Sequence, residues 1–342
     1  MARREQKQSP GADAALGVSE LAATATQIID AVETVIEGKH EPVKLAVTVL
    51  LAEGHLLIED VPGVGKTMLA KALARAVDCT ARRIQFTPDL LPSDVTGVSV
   101  FNQERRDFEF KPGAVFANIV IGDEINRASP KTQSALLECM GERQVTVDGT
   151  TWQLEAPFMV IATQNPLEME GTYPLPEAQR DRFTARISMG YPSPGAELEM
   201  LDVHGAADPL VDLEPVCDAF AVSKLIDVAR SVHVADPVRE YVVSLITATR
   251  NSADLRLGAS PRATLHLVRT ARARAALDGR DFVIPEDIQE LAVQVLAHRL
   301  LPTAEAQMGR RRPEQVVAEI VERTPVPGPS TGRPRKSVRG AP

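Results

Sequence analysis

The chain has 342 residues, 44% of them apolar, and a formal net charge of −8. That length and apolar fraction allow two packed domains, and the acidic balance excludes a general attraction for nucleic acid. The cysteines, Cys79, Cys139 and Cys217, form no C-x-x-C pair and the six histidines no H-E-x-x-H, which excludes a disulfide framework or a zinc site.

The first residues, MARREQKQSPGADAALG, are basic but lack the apolar core of a signal peptide. No apolar run reaches the length needed to span a bilayer, and the protein is expected in the cytoplasm. Residues 1–17 and 323–342 are rich in Pro, Gly, Ser and basic residues without periodicity, a composition that predicts disordered tails. The second tail carries Arg333, Arg335, Lys336 and Arg339 with no acid beyond Thr324, leaving the rest of the chain still more acidic.

Between the tails, short apolar runs alternate with helical patterns. GKHEPVK begins a helix ahead of the first predicted strand, HLLIED (55–60); the next helix repeats Leu69, Leu73 and Val77 at a spacing of four. RRIQF (82–86), NIVIGDE (118–124), FMVIATQN (158–165) and ARISMG (185–190) complete five strands. This alternation predicts a parallel sheet with crossover helices. VSVF and FEF around NQERRD predict a β-hairpin before the third strand, and QVTV, Asp148-Gly149 and TWQL predict another before the fourth. Ser129 followed by Pro130 reads as a helix N-cap with proline at the first helical position. After about residue 205 only helical stripes remain, such as Leu265, Val268, Ala271 and Ala275, or Ile288, Leu291, Ala292 and Val295. The expected division is an α/β domain over 18–204 and a helical domain over 205–322.

Chemistry concentrates at strand ends. Asp60-Val61-Pro62-Gly63-Val64-Gly65-Lys66-Thr67 follows the first strand and opens a helix. It matches G-x-x-x-x-G-K-[ST] except that Asp60 replaces the first glycine. Such a loop turns its amides on phosphates, Lys66 would neutralise the β and γ groups, and the Thr67 hydroxyl would ligate magnesium. A carboxylate at position 60 repels phosphates unless it points away. Asp123 and Glu124 end the NIVIGDE strand; Asp123 would hold magnesium through water and Glu124 would polarise the attacking water. An acidic pair after a strand is by itself an ordinary solvated turn, and Asn165 at the end of FMVIATQN an ordinary turn former. The order and separation of the three motifs make ATP with Mg2+ the expected ligand set.

The segments IVIGDEINRASPKTQSALLECMGERQVTV, TQNPLEMEGTYPLPEAQRDRF and GASPRA resemble the MoxR family of AAA+ ATPases, over about residues 20–322. The resemblance implies a P-loop AAA+ core with a five-stranded parallel sheet in the order 5-1-4-3-2 and a C-terminal helical lid. It also implies an insert hairpin within the second helix (98–110) and a second hairpin ahead of sensor 1 (144–154). Asn165 would then be sensor 1, Arg262 sensor 2, and Arg182 of DRF the finger that reaches a neighbouring subunit, with Arg180 as its rival. Gly38 would let the backbone approach adenine. The implied protein is a ring-forming ATPase, usually a hexamer, that remodels or matures proteins, often with a partner carrying a von Willebrand factor A domain.

Three other readings share parts of this architecture: a nucleic-acid motor, a magnesium-chelatase ATPase subunit, and a module that uses ATP only as a switch. Against the first, the insert tip sets Arg105 and Arg106 against Glu104 and Asp107, which leaves no net charge to track a phosphate backbone. Against the last, a non-hydrolysing switch has no need of Glu124, Asn165, Arg182 and Arg262 together.

Overall fold

A computed structural model of the chain describes residues 17–166, 171–192, 195 and 209–327. Most of both expected tails, residues 167–170 of the family-like segment and the expected boundary near 205 lie outside the described residues.

All five expected strands are present: β1 (Leu56–Glu59), β2 (Ala81–Gln85), β5 (Ile119–Asp123), β8 (Met159–Gln164) and β9 (Ala185–Ile187). They form one parallel sheet in the spatial order β2-β5-β8-β1-β9, which is the order 5-1-4-3-2. Both faces are covered, and the alternation of side chains sorts the residues between them. Leu56 and Ile58 of β1, Ile119 and Ile121 of β5, and Met159 and Ile161 of β8 share one apolar cluster with α1 (Val18–Glu33), α2 (His40–Leu51) and α3 (Lys66–Ala76). Leu57, Val120, Val160 and Ala162 point the other way, against Leu136 and Leu137 of α5 (Pro130–Glu142). Ser129 caps α5 as expected, accepting from the Thr132 amide at 3.4 Å.

Both hairpins form. β3 (Gly97–Asn102) pairs with β4 (Asp107–Pro112), and β6 (Gln144–Val147) with β7 (Thr150–Gln153). The first follows a helix of only five residues, α4 (Pro92–Thr96), and leads by turns into β5. No helix resumes after it, so the insert stands behind the second helix and not inside it. Phe110 of β4 stacks on Trp152 of β7 with ring centroids 4.5 Å apart, which fastens the two hairpins together.

Beyond α6 (Glu177–Arg180) and α7 (Pro209–Asp212) the chain is helical: α8 (Ala219–Ser231), α9 (Asp236–Arg250), α10 (Pro261–Leu277), α11 (Pro285–Leu296), α12 (Ala304–Met308) and α13 (Pro313–Arg323). A short antiparallel pair, β10 (Leu255–Leu257) with β11 (Leu301–Pro302), interrupts them; three and two residues are too few to leave a period-two signal. Ile288, Leu291, Ala292 and Val295 are buried as the stripe predicts, but Leu265 is 59% exposed. The buried face of α10 runs instead through Ala263, Leu267, Thr270 and Ala271, because α10 packs on α1, α2 and α8 along that side and leaves Leu265 at the edge of a cavity. Burial pushes the thiols of Cys79 and Cys139 up to about 12 and that of Cys217 to about 11, consistent with small apolar fillers.

Candidate nucleotide site

The carboxyl ends of β1, β8 and β5 lie side by side, so Asp60, Asn165 and Asp123 meet at one edge of the sheet. Gly63 and Gly65 take φ of 84° and 87°, a region where a Cβ is strained. This turn aims the chain into α3, whose N-cap is Gly65 and whose first turn has neither a side-chain cap nor an acid. The free first-turn amides are therefore left to an anion. Lys66 Nζ donates to the Asp60 carbonyl at 2.6 Å; desolvation lowers its pKa, opposed by the charges of Asp60, Glu124 and Asp123.

The Thr67 hydroxyl donates to Asp123 Oδ1 at 3.0 Å, so a hydroxyl and a buried carboxylate converge beside the loop, a donor pair suited to a hard divalent cation. The far oxygen of Asp123 pairs with Arg83 Nε at 2.5 Å. Glu124 sits at φ 57°, ψ 52°, an uncommon conformation for a non-glycine residue. It is held there by its amide donating to Thr163 Oγ1 at 3.0 Å, by Gln85 Nε2 at 3.1 Å and by Arg127 at 3.2 Å. Strain of this kind persists only where the surroundings fix it. Arg83, Gln85 and Thr163 were not foreseen: they reach the site through the register of β2 and β8 on β5, which local pattern does not encode.

Asp60 points away from the phosphate cradle. Its carboxylate accepts from the Val61 amide at 2.8 Å, Ser188 Oγ at 2.8 Å and the Gly190 amide at 2.6 Å. Burial pushes this carboxyl up, but the bonds from Gly190, Ser188, Val61 and Met189 outweigh it and hold the group below its ordinary range. Lys39 grips the same loop through the carbonyls of Met189, Gly190 and Tyr191 at 2.6, 3.1 and 2.9 Å. Gly38 beside it has φ 70° and open space where a Cβ would stand. Asp60→Gly, which restores the motif glycine, is expected to lower stability by about 2–4 kcal/mol through lost charge-assisted bonds and added chain entropy. Urea unfolding without nucleotide measures this, and an unchanged midpoint would refute the anchoring role. Since the folded pKa is depressed, the contribution is full above the unfolded-chain value of about 3.9 and is lost as pH falls through the folded one.

Arg182 and Arg262 are brought together, but not here. Both line a cavity of about 600 Å³ with Arg143, Arg230, Arg269 and Arg272. Its floor includes His55, the residue before β1, and Met140 and Gly141 at the end of α5. The cavity thus lies at the amino edge of the sheet, while Asp60 and Lys66 lie beyond the carboxyl end of the same strand. At about 3.3 Å per residue, the five steps from His55 to Asp60 span roughly 17 Å, well beyond an arginine's reach. Arg143 and Arg230 pair with Glu53. Burial holds His55 down at about 4 and His266 at about 2, so these imidazoles stay neutral and the positive charge is arginine's. Arg182 donates to the Leu137 carbonyl, and the buried Nε of Arg180 has no hydrogen-bond partner among the described residues.

An order 5-1-4-3-2 sheet with a glycine-turned helix N-terminus, paired acids on the third strand and a C-terminal helical region defines an AAA+ nucleotide-binding protein. Residues 55–185 match the family described as ATPase family associated with various cellular activities (AAA), and 247–320 match an AAA lid domain. The chain is 49% identical over 299 residues to the uncharacterised protein YeaC of Bacillus subtilis, covering 87% of this chain and 93% of that one. It is 42% identical over 332 residues to Chaperone MoxR1 of Mycobacterium tuberculosis, covering 93% and 88%. A solved structure of a candidate ATPase from Cytophaga hutchinsonii superposes with a TM-score of 0.84 at 37% identity, covering 90% of this chain and 96% of that one. The chain belongs to the MoxR family of AAA+ ATPases. Among the described residues no helix is long and apolar enough to cross a membrane.

Proposed function

We propose that the protein hydrolyses ATP at sites shared between adjacent subunits of a ring, hexameric as the family resemblance implies, and uses the cycle to remodel or mature protein clients. The observation that carries this reading is the placement of Lys66, Thr67, Asp123 and Glu124 at one edge of the sheet and of Arg182 and Arg262 at the other. A γ-phosphoryl transition state needs added positive charge; Arg83 and Arg127 at this edge are paired with Asp123 and Glu124, and the subunit's own Arg182 and Arg262 are on the wrong side to give it.

In this reading the Gly63–Thr67 loop and the α3 amides bind the phosphates, Thr67 and Asp123 hold Mg2+, and Glu124 takes the proton from water as it attacks. Mg2+ bound there neutralises charge that develops on the phosphate oxygens. Asn165 orients the water or γ-phosphate from the neighbouring strand end, and Gly38 leaves room for adenine beside α2. Arg182 and Arg262 both serve the adjacent subunit's nucleotide. A partner with a von Willebrand factor A domain follows from the family resemblance.

A site completed by a neighbour has a concentration signature. Phosphate release per chain is expected to rise with protein concentration and to level off once rings are full, with light scattering reporting assembly in parallel. A rate per chain that stays constant across dissociation would mean that each subunit carries a complete site.

A further inference from the structure

The aspartate between the two candidate fingers has an occupation of its own. Asp181 Oδ1 receives Nε of Arg299 at 2.9 Å, and both its carboxylate oxygens lie within reach of Ser260 Oγ, at 2.9 and 3.0 Å. Ser260 is also the N-cap of α10, accepting from the Ala263 amide at 3.2 Å, and α10 carries Arg262 in its first turn. Arg299 follows α11 in a 3-10 turn and is 3% exposed. Its guanidinium also donates to the carbonyls of Asp181, Phe183 and Thr184, the last at 3.2 Å. His298 Nε2 donates to the Phe183 carbonyl at 3.1 Å, and the Phe183 ring is fully buried. Arg182 is thus flanked on both sides by residues bolted to the helical region, while its own side chain lines the arginine cavity.

We propose that Asp181, Ser260 and the buried Arg299 form a partly buried latch that fixes Arg182 and Arg262 as one rigid pair, so that the lid sets where both arginines meet the neighbouring subunit's nucleotide. This rests on the shared-site reading above. The cluster is built for position: a carboxylate, a hydroxyl and a five-donor guanidinium are nearly all satisfied by one another and by main-chain carbonyls. None of the three faces the P-loop, so none can act on the subunit's own nucleotide. The latch joins the 181–184 strap to the start of α10 and the end of α11, and any shift of the lid carries both cavity arginines with it. Transition-state stabilisation by such a pair is lost when the pair is misplaced, although the charges remain.

The test uses Asp181→Asn, which keeps the side-chain shape and loses the charge, with thermal melting as a check of folding. ATP affinity at the variant's own P-loop, read with a fluorescent nucleotide, should stay within about twofold, while kcat falls by about a hundredfold. Mixed with Glu124→Gln, the variant should regain phosphate release, because its intact P-loop then meets intact arginines. Mixed with Arg182→Ala it should regain none, because both fail on the same face. Where Asp181→Asn does not melt like the parent, Ser260 decides: Ser260→Ala should lose kcat and Ser260→Thr, which keeps the hydroxyl, should retain it. Parental kcat in Asp181→Asn or Ser260→Ala, with Arg182→Ala inactive and rescued by Glu124→Gln, overturns the latch and leaves the shared site standing. Failure of Glu124→Gln to rescue Asp181→Asn while rescuing Arg182→Ala also overturns it, since the aspartate would then serve only folding. If Arg182→Ala itself hydrolyses at the parental rate, Arg182 is not the finger and the latch falls, while absence of recovery in demonstrated mixed oligomers of Arg182→Ala and Glu124→Gln is what removes the shared site.

Discussion

Glu124→Gln is expected to bind ATP as the parent does and to hydrolyse it slower by about 10²–10⁴-fold, the range a positioned general base supplies. The geometry favours a clean substitution. Glu124 is held in its left-handed backbone conformation mainly by its amide on Thr163 and by the chain turning out of β5 into the Ile125–Arg127 turn, and glutamine leaves both in place. The Gln85 and Arg127 contacts lose a charge but not their shape. Asp123, Thr67 and Lys66 are untouched, so nucleotide and magnesium should stay. Lys66→Ala should behave differently, weakening ATP itself by about tenfold or more as a charge-assisted bond to phosphate is lost. Nucleotide affinity by fluorescence and single-turnover phosphate release separate the two. A Glu124→Gln variant that hydrolyses at the parental rate would remove Glu124 from the role of base.

Arg182→Ala is expected to bind ATP normally and to lose hydrolysis by about 10³–10⁵-fold, the contribution of an arginine finger supplied from outside the subunit. Glu124→Gln fails on the opposite edge of the sheet. Mixing the two inactive proteins under subunit exchange therefore creates junctions where an intact Glu124 faces an intact Arg182, and these should recover part of the activity. An arginine serving only its own subunit, for instance by bonding the Leu137 carbonyl where it now rests, predicts no recovery at any ratio. Titrating one variant into the other and reading phosphate release decides between these. If Arg182→Ala proves fully active, Arg180 becomes the finger; absence of recovery in demonstrated mixed oligomers rules out the shared site.

The sequence by itself determined the parts that are local. Strand after strand, the apolar runs carried their own period, and Gly63, Gly65 and Ser129 carried the backbone demands of a turn or a cap, so the five strands, the two hairpins and the phosphate loop were legible in chain order. Family-like segments added the order of the strands, which no local pattern fixes. What only the tertiary structure decided depends on pairs distant in sequence. The register of β2 on β5 brings Arg83 and Gln85 to the two acids. The loop after β9 turns Asp60 away from the phosphates, resolving an objection that the motif alone raised. The packing of α10 on α1, α2 and α8 exposes Leu265 against its expected stripe and carries Arg262 to the amino edge of the sheet beside Arg182. The reason is physical: periodicity records which face of an element is buried, whereas the partner it is buried against is set by packing of the whole core, and the placement of residues at opposite edges of a sheet is visible only once that packing is in place.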